Sequence, residues 1–390
     1  MIPTPVGIYN MGNTCFISAV LHCLLNCRQL EKLFLSDLVH PYQSCEALCT
    51  NRRCLACQFD KVFLEYFGSS NGIDAIAALE EYELAASSLP YSCFQHQKDQ
   101  VHTKKRDQNS CGHPIILSAF LSETWKQVGM KQLAGQHQHD AQEYFSSFIN
   151  ALHTSDVAYL NKVKQLKDMA CRTQIRQATF DEKKEEDPVG ASKVKDVFTG
   201  SLRSVLVCQQ CNNKRTQVES FINLSLPIPR EENQGQFTIE SCLEHFTKSD
   251  LLSDVLYCPS CKKTTSSTQQ HVFVALPEVL CLHLKRFDSA ANKKVTDVVS
   301  FPARGLDMGK YLVHWRQTTS PTTSIDDKTP MVPYDLFATI NHSGTLDKGH
   351  YIANVLKGDH WYSINDEFVD NANEVLPNGD AYMLFYSRRI

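Results

Sequence analysis

The sequence predicts an α+β fold on two observations: helical periodicity is concentrated before about residue 196, and short β-rich runs take over from Val197. After Cys15, the residues Phe16, Ile17, Val20, Leu21, Leu24 and Leu25 recur with helical spacing, which describes a helix deep in a core with Cys15 at its start. A second helix is expected after His139, with Tyr144, Phe145, Phe148, Ile149 and Leu152 on one face. Asp140 and Glu143 are spaced there as an N-terminal capping pair. Residues 69–113 open with Ser-Ser-Asn-Gly and continue in a polar run without apolar periodicity, the pattern of a surface insertion. The charged run 181–187 is a second solvated stretch. Strands are expected at 201–207, 217–226, 271–276, 279–287, 334–340, 350–355, 360–364 and 381–386, with a Thr-, Ser- and Pro-containing insertion at 317–331.

The chain has 390 residues, enough for one elaborated domain or two to three ordinary ones. Its 42% hydrophobic and 21% charged content is that of a soluble globular protein, and no apolar run is long enough to span a bilayer. With 39 basic against 43 acidic side chains, no global basic field argues for nucleic acid. The N-terminus has no basic segment leading into an apolar one, so an intracellular setting is expected, nucleus or cytoplasm, with the nucleus favoured. In a reducing compartment, 16 cysteines serve as metal ligands, nucleophiles or small buried hydrophobes more often than as disulfides.

A cysteine thiol ordinarily titrates near 8.5, so a cysteine nucleophile needs help to ionise at neutral pH. Cys15 at a helix start has the positive end of the helix dipole beside it. Taken alone, it still reads as a buried helical cysteine. The second half supplies a partner. His350 and the segment 360–366 flank Leu-Lys-Gly-Asp, a turn signal between two arms of an antiparallel hairpin. A two-residue turn at Lys357 and Gly358 would set His350 opposite Asn365, and a three-residue loop would set it opposite Asp366. Either polar side chain would hold the imidazole in a useful tautomer. Gly349, beside His350, is expected to leave room for a substrate backbone.

These segments resemble the ubiquitin-specific proteases, a papain-like branch of deubiquitinating enzymes also classed as peptidase C19. GIYNMGNTCFISAVLHCLL resembles the family's Cys box, HDAQEYFSSFINALH its thumb helix, and LPEVLCLHLKRF a palm strand. YDLFATINHSGTLDKGHYIANV with WYSINDEFV resembles the His box, and AYMLFY the closing strand. The motifs run in the family's order over nearly the whole chain. The resemblance implies a hand architecture: a helical thumb at about 1–195, zinc-bearing β fingers at about 196–275 and a β-rich palm at about 276–390. It implies a thiol-dependent hydrolase that cleaves the isopeptide or peptide bond after ubiquitin's C-terminal glycine. Cys15 would be the nucleophile, His350 its base, Asn365 the orienting residue with Asp366 as alternate, and Asn10 an oxyanion donor. By composition alone, Asn10 reads as a turn residue. Asp140 matches a position that contacts ubiquitin's tail, alongside its capping role.

Cys208 and Cys211 form one Cys-x-x-Cys pair and Cys258 and Cys261 another, the closed four-thiolate set of a structural zinc. The 46 residues between the pairs exceed ordinary ribbon spacing, and the family's use of such pairs in its fingers supports zinc there. His40, Cys45, Cys54 and Cys57, with Cys49 competing, resemble a further zinc site of the histone-directed SAGA-type enzymes. Cys93, His96, Cys111 and His113 read instead as part of a polar insertion. Only 14 residues precede Cys15, fewer than the upstream zinc domain of that branch needs. Expected partners are ubiquitin and ubiquitinated proteins, with ubiquitinated histone and SAGA-type subunits among them, and neither membrane nor nucleic acid. Two other readings compete with this one. A catalytically inactive ubiquitin-binding scaffold would not need Cys15, His350 and Asn365 together. A zinc-ribbon nucleic-acid binder would need more than the small basic group of Lys214, Arg215, Lys262 and Lys263.

Overall fold

Helices dominate before about residue 196 and strands after Val197, as the two periodicities predict, with further short helices and strands that no pattern marked. The computed structural model describes residues 4–35, 54–68, 113–134, 137–174, 193–229, 237–288, 293–312, 331–345, 348–372, 374–375 and 377–389. The expected insertions at 69–113 and 317–331 therefore lie, but for His113 and Met331, outside the described residues, as do His40, Cys45, Cys49, Cys93, His96 and Cys111. The chain divides into two compact units, Met1–Asp196 with His350–Asn373, and Val197–Gly349 with Glu374–Ile390. Among the described residues, no helix is long and apolar enough to cross a membrane.

The first unit holds helices α1 (Cys15–Leu25), α2 (Arg28–Leu35), α3 (Leu55–Gly68), α4 (Ser118–Thr124) and α5 (Ala141–Gln174). All eleven residues of α1 are buried, as expected of a helix apolar nearly all round. An aromatic chain fixes its first turn: Phe16 meets Tyr144 edge-on at 5.5 Å, and Phe148 meets Phe59 at 5.1 Å. Such pairs contribute roughly 0.5–1.5 kcal/mol each beyond their buried area. Asp140 caps α5, its Oδ1 accepting from Gln142 N at 2.7 Å and Glu143 N at 3.2 Å. Glu143 does not complete a capping box; its Oε1 accepts from Gln132 Nε2 instead.

The second unit is mostly strand. β1 (Gly200–Cys208) pairs antiparallel with β2 (Lys214–Phe221), and β3 (Leu224–Pro227) follows. A short hairpin, β4 (Leu256–Cys258) and β5 (Lys263–Thr265), leads into β6 (Ser267–Ala275), which pairs with the other side of β1. β7 (Val279–Lys285), an almost unbroken apolar run buried on both faces, pairs parallel with β3. β8 (Pro333–Gly344) and β12 (Ala381–Arg388) complete that sheet in the order β8-β12-β7-β3.

Between them in sequence lie β9 (Gly349–Lys357), β10 (His360–Asn365) and β11 (Phe368–Ala372). Here the structure corrects the expected register. Lys357 pairs with His360 and Ala353 with Ile364, so the turn is Gly358–Asp359, and the partner of His350 by straight extension lies two residues past Asn365 and one past Asp366. Gly358 takes φ 64°, the positive angle that a two-residue hairpin turn demands at its first central position. Straight extension of that register would set His350 opposite Glu367. The β10 strand instead ends at Asn365 and turns back into β11.

Candidate active site

Cys15 is the first residue of α1, buried, and no side chain caps the helix's first turn. Thr14, at the cap position, uses its hydroxyl otherwise: it accepts from Met11 N at 2.9 Å and donates to Asn10 Oδ1 at 3.1 Å. The helix therefore presents uncapped amides at the end that carries the thiol.

His350 hydrogen-bonds to the Cys15 side chain. Its Nε2 lies 2.6 Å from Asn365 Oδ1 and 4.0 Å from Asp366 Oδ2. An amide oxygen only accepts, so Nε2 carries a hydrogen and Nδ1 is the nitrogen left for the thiol. The Cys15 hydrogen bond, aided by Asn365 and by the charges of Cys15 and Asp366, raises the His350 pKa to about 9 against the opposing effect of burial. The imidazolium is thus favoured beside the sulfur.

The tight β10–β11 turn explains how Asn365 reaches His350 despite the register. Asp366, at φ 53°, starts the turn and swings both polar side chains toward the histidine. The turn is clamped from the N-terminal segment: Ile8 N donates to Asp366 O at 2.9 Å. A side chain on Gly7 would come within 2.4 Å of Glu367 O, so only glycine permits that approach.

Asn10 joins the pieces. Its Nδ2 donates to Asp366 Oδ2 at 2.9 Å, while its Oδ1 accepts from Gly12 N, Thr14 N and Thr14 Oγ1 at 3.0–3.1 Å. The turn role read from composition is therefore present, and it fixes the amide beside Cys15. Burial raises the Asp366 pKa, with the Asn10 hydrogen bond and His350 pulling it back. Asp140 and Tyr351 stand on the same side: Tyr351 OH accepts from Ala141 N, and burial followed by the Asp140 charge pushes the phenol pKa well up.

Gly349 serves a different purpose from the one expected. A Cβ there would fall 2.0 Å from His342 Nε2, so the space is filled by the protein's own imidazole rather than left for substrate. Gly7, Thr14 and Tyr351 each act through contacts that no local sequence pattern encodes.

The four predicted cysteines of the second unit converge. Among the described residues, Cys208, Cys211, Cys258 and Cys261 form a ligand cluster with all four sulfurs within 4.8 Å of one another. Cys208 and Cys261 are 4.0 Å apart and Cys211 and Cys258 3.7 Å. A tetrahedral zinc with Zn–S near 2.3 Å separates its sulfurs by about 3.8 Å, so the donor set fits. Each pair ends in the same knuckle: Asn212 and Lys262, one residue past the second cysteine, both take φ 55°. The Thr265 hydroxyl, 3.1 Å from Cys208 Sγ, is the largest of the hydrogen bonds that lower the Cys208 pKa to about 6. Of the other cluster, Cys54 and Cys57 are described, with sulfurs 3.5 Å apart and Cys57 N donating to Cys54 Sγ.

A family model described as ubiquitin carboxyl-terminal hydrolase matches residues 6–386. Ubiquitin carboxyl-terminal hydrolase 8 of Saccharomyces cerevisiae is 30% identical over 98% of this chain and 70% of its own length. Ubiquitin carboxyl-terminal hydrolase 22 of Homo sapiens is 26% identical, over 98% of this chain and 66% of its own length. Among solved structures, the SAGA module Ubp8/Sgf11/Sus1/Sgf73 bound to ubiquitin aldehyde superposes with TM-score 0.64 at 26% identity, covering 100% of this chain and 72% of that one. The same module bound to monoubiquitin gives TM-score 0.66.

Proposed function

The chain belongs to the ubiquitin carboxyl-terminal hydrolase family, a deubiquitinating thiol protease, and from that premise we propose how its own residues divide the work. Cys15 Sγ attacks the carbonyl carbon of ubiquitin's C-terminal glycine. His350 Nδ1 takes the thiol proton and delivers it to the departing lysine amine, leaving a thioester that water hydrolyses with His350 again as base. Asn365 Oδ1 holds the imidazole tautomer. The Cys15 backbone N–H and the Asn10 amide are the donors assigned to the oxyanion. The observation that carries the assignment is a single imidazole that hydrogen-bonds to Cys15 while its Nε2 meets Asn365 at 2.6 Å.

Asp140 is assigned to ubiquitin's tail, on the strength of its place beside Tyr351 and the Cys15 end of α1. Cys208, Cys211, Cys258 and Cys261 would hold zinc. A four-thiolate set has no open position, so the ion supplies a cross-link between two hairpins and no chemistry. His40, Cys45, Cys54 and Cys57 are proposed as a second zinc set, supported by the close Cys54 and Cys57 sulfurs. An intracellular and preferentially nuclear setting, ubiquitinated histone as substrate and SAGA-type subunits as partners belong to the same proposal. They rest on likeness to the Ubp8 module.

Ubiquitin bearing an electrophilic C-terminus tests the assignment. Wild-type protein should form a covalent adduct at Cys15, and Cys15→Ala should form none. Ubiquitin binding without any adduct would favour an inactive scaffold. Assay on ubiquitin chains and ubiquitinated histones would then test the substrate proposal.

A further inference from the structure

One face of α1 is polar although the whole helix is buried: Ser18, His22 and Asn26 follow one another at intervals of four residues. Asn26 has an evident duty, donating from Nδ2 to His22 O at 2.8 Å and to Tyr66 OH at 2.9 Å. Ser18 and His22 have none of that kind. Among the described residues, Ser18 Oγ, both ring nitrogens of His22 and Asp366 Oδ1 are buried without a hydrogen bond at full geometry. Ser18 is 2% exposed, His22 0% and Asp366 6%, so solvent does not serve them.

These atoms are neighbours. The Ser18 hydroxyl lies against the Asp366 carboxyl group and stabilises its anion, and the His22 ring lies against the Asp366 backbone. Their chemistry is complementary. The serine hydroxyl brings a hydrogen to the Asp366 carboxyl group, and the neutral imidazole brings one to the Asp366 backbone carbonyl. Burial drives the His22 pKa to about 3, so the ring stays neutral and adds no charge. A buried polar atom left unsatisfied costs roughly 1–3 kcal/mol, and four of them around one turn are a standing cost that an apolar α1 would avoid. Asp366 in turn is the partner of Asn10 Nδ2, 356 residues away in sequence.

We propose that Ser18 and His22 are positioning residues for the active site: Ser18 supports the Asp366 carboxyl group and His22 the Asp366 backbone, and through that turn they set the Asn10 amide beside Cys15. The inference rests on the deubiquitinating reading and adds to it a line of action that reaches the oxyanion donor through Asp366.

The test uses His22→Leu and Ser18→Ala, with His22→Gln as the conservative variant that keeps a neutral hydrogen-bonding group. Turnover is read on ubiquitin with a fluorogenic C-terminal amide, and Cys15 reactivity on iodoacetamide, which needs no oxyanion donor. His22→Leu should lower kcat about 10-fold with KM little changed, keep its thermal midpoint or raise it, and alkylate at the wild-type rate. His22→Gln should recover most of the turnover, and Ser18→Ala should fall in the same direction. In an Asn10→Ala background, His22→Leu should cost nothing further. Unchanged kcat in His22→Leu, alkylation that falls in step with kcat, or additive losses in the double variant would each overturn the proposal. A wild-type protein that fails to cleave ubiquitin would overturn both the proposal and the reading it rests on, whereas an active wild type with any of those three results sinks the positioning role alone.

Discussion

The two cysteine sites are built by opposite means. Cys15 stands at the start of a helix with all eleven residues buried, and packing sets its place before any partner arrives. The Cys208 cluster sits at two knuckles flanked by largely exposed strands; every residue of β2 but the last is exposed, and little apolar burial supports it. One site is preorganised by a core, and the other has little apolar packing around it and a donor set that an ion could cross-link. A cysteine's surroundings decide what it can do: a single imidazole beside Cys15 suits it to the proposed nucleophile, and three further thiols beside Cys208 suit it to the proposed ligand set.

The largest expected effect tests the first half of that contrast. Cys15→Ala should abolish ubiquitin cleavage, a loss of at least about 10⁴-fold, while ubiquitin binding survives, since packing and not the sulfur shapes the site. Binding is read by titration with unmodified ubiquitin. Loss of binding together with activity would show that the thiol holds the site open. Asn365→Ala should cost about 10²-fold in kcat and leave a residual rate, because Asp366 Oδ2 stands 4.0 Å from the same nitrogen. Asp366→Ala should add to that loss and disturb Asn10 as well. If the two single variants behaved alike in iodoacetamide alkylation, the separate duties assigned to them would collapse into one.

Ion removal tests the other half. Chelation, or Cys258→Ser, should loosen the knuckles and raise KM for ubiquitin substrates, by about 10-fold, while iodoacetamide reacts with Cys15 at the unperturbed rate. Release of one equivalent of zinc per four-thiolate set on titration with a mercurial would identify the metal. A fall in Cys15 reactivity on chelation would break the separation between the two sites.

Much of this was legible in the sequence because it is periodic or regularly spaced. The α1 pattern, the β-rich runs and the two Cys-x-x-Cys pairs are local signals, and all form as elements or clusters. The hairpin register was not legible. Leu-Lys-Gly-Asp admits turns one residue apart, and what decides between them is the positive φ of Gly358 at the first central position. The pairing of His350 with Asn365 emerges for a different reason from the one the arithmetic offered: β10 ends and turns at Asp366. Nor could spacing reveal that Asn10 bonds to Asp366, or that Gly7 exists to approach Glu367, since both contacts join the ends of the chain. At Gly349, a glycine signals close approach without saying by what, and the approaching group is His342 rather than substrate.

The smallest effect is also the most direct reading of the Cys15 side of the comparison. The His350 pKa is raised from its ordinary 6.5 to about 9, with the Cys15 hydrogen bond as the first cause, Asn365 a lesser one, and burial opposing both. Removing Cys15 removes the leading cause, so His350 in Cys15→Ala should titrate below about 9, and Asn365→Ala should shift it down by less. Imidazole ¹⁵N NMR measures both. The sign carries over to stability: a proton held more tightly in the folded state stabilises fully below about pH 6.5, and that contribution is lost as pH rises through about 9. Wild type should therefore lose stability across that window, and Cys15→Ala should lose less, in denaturant titrations at a series of pH values. Identical pH dependence in the two proteins would mean that the thiol and the imidazole do not share a proton, and the preorganised half of the contrast would rest on packing alone.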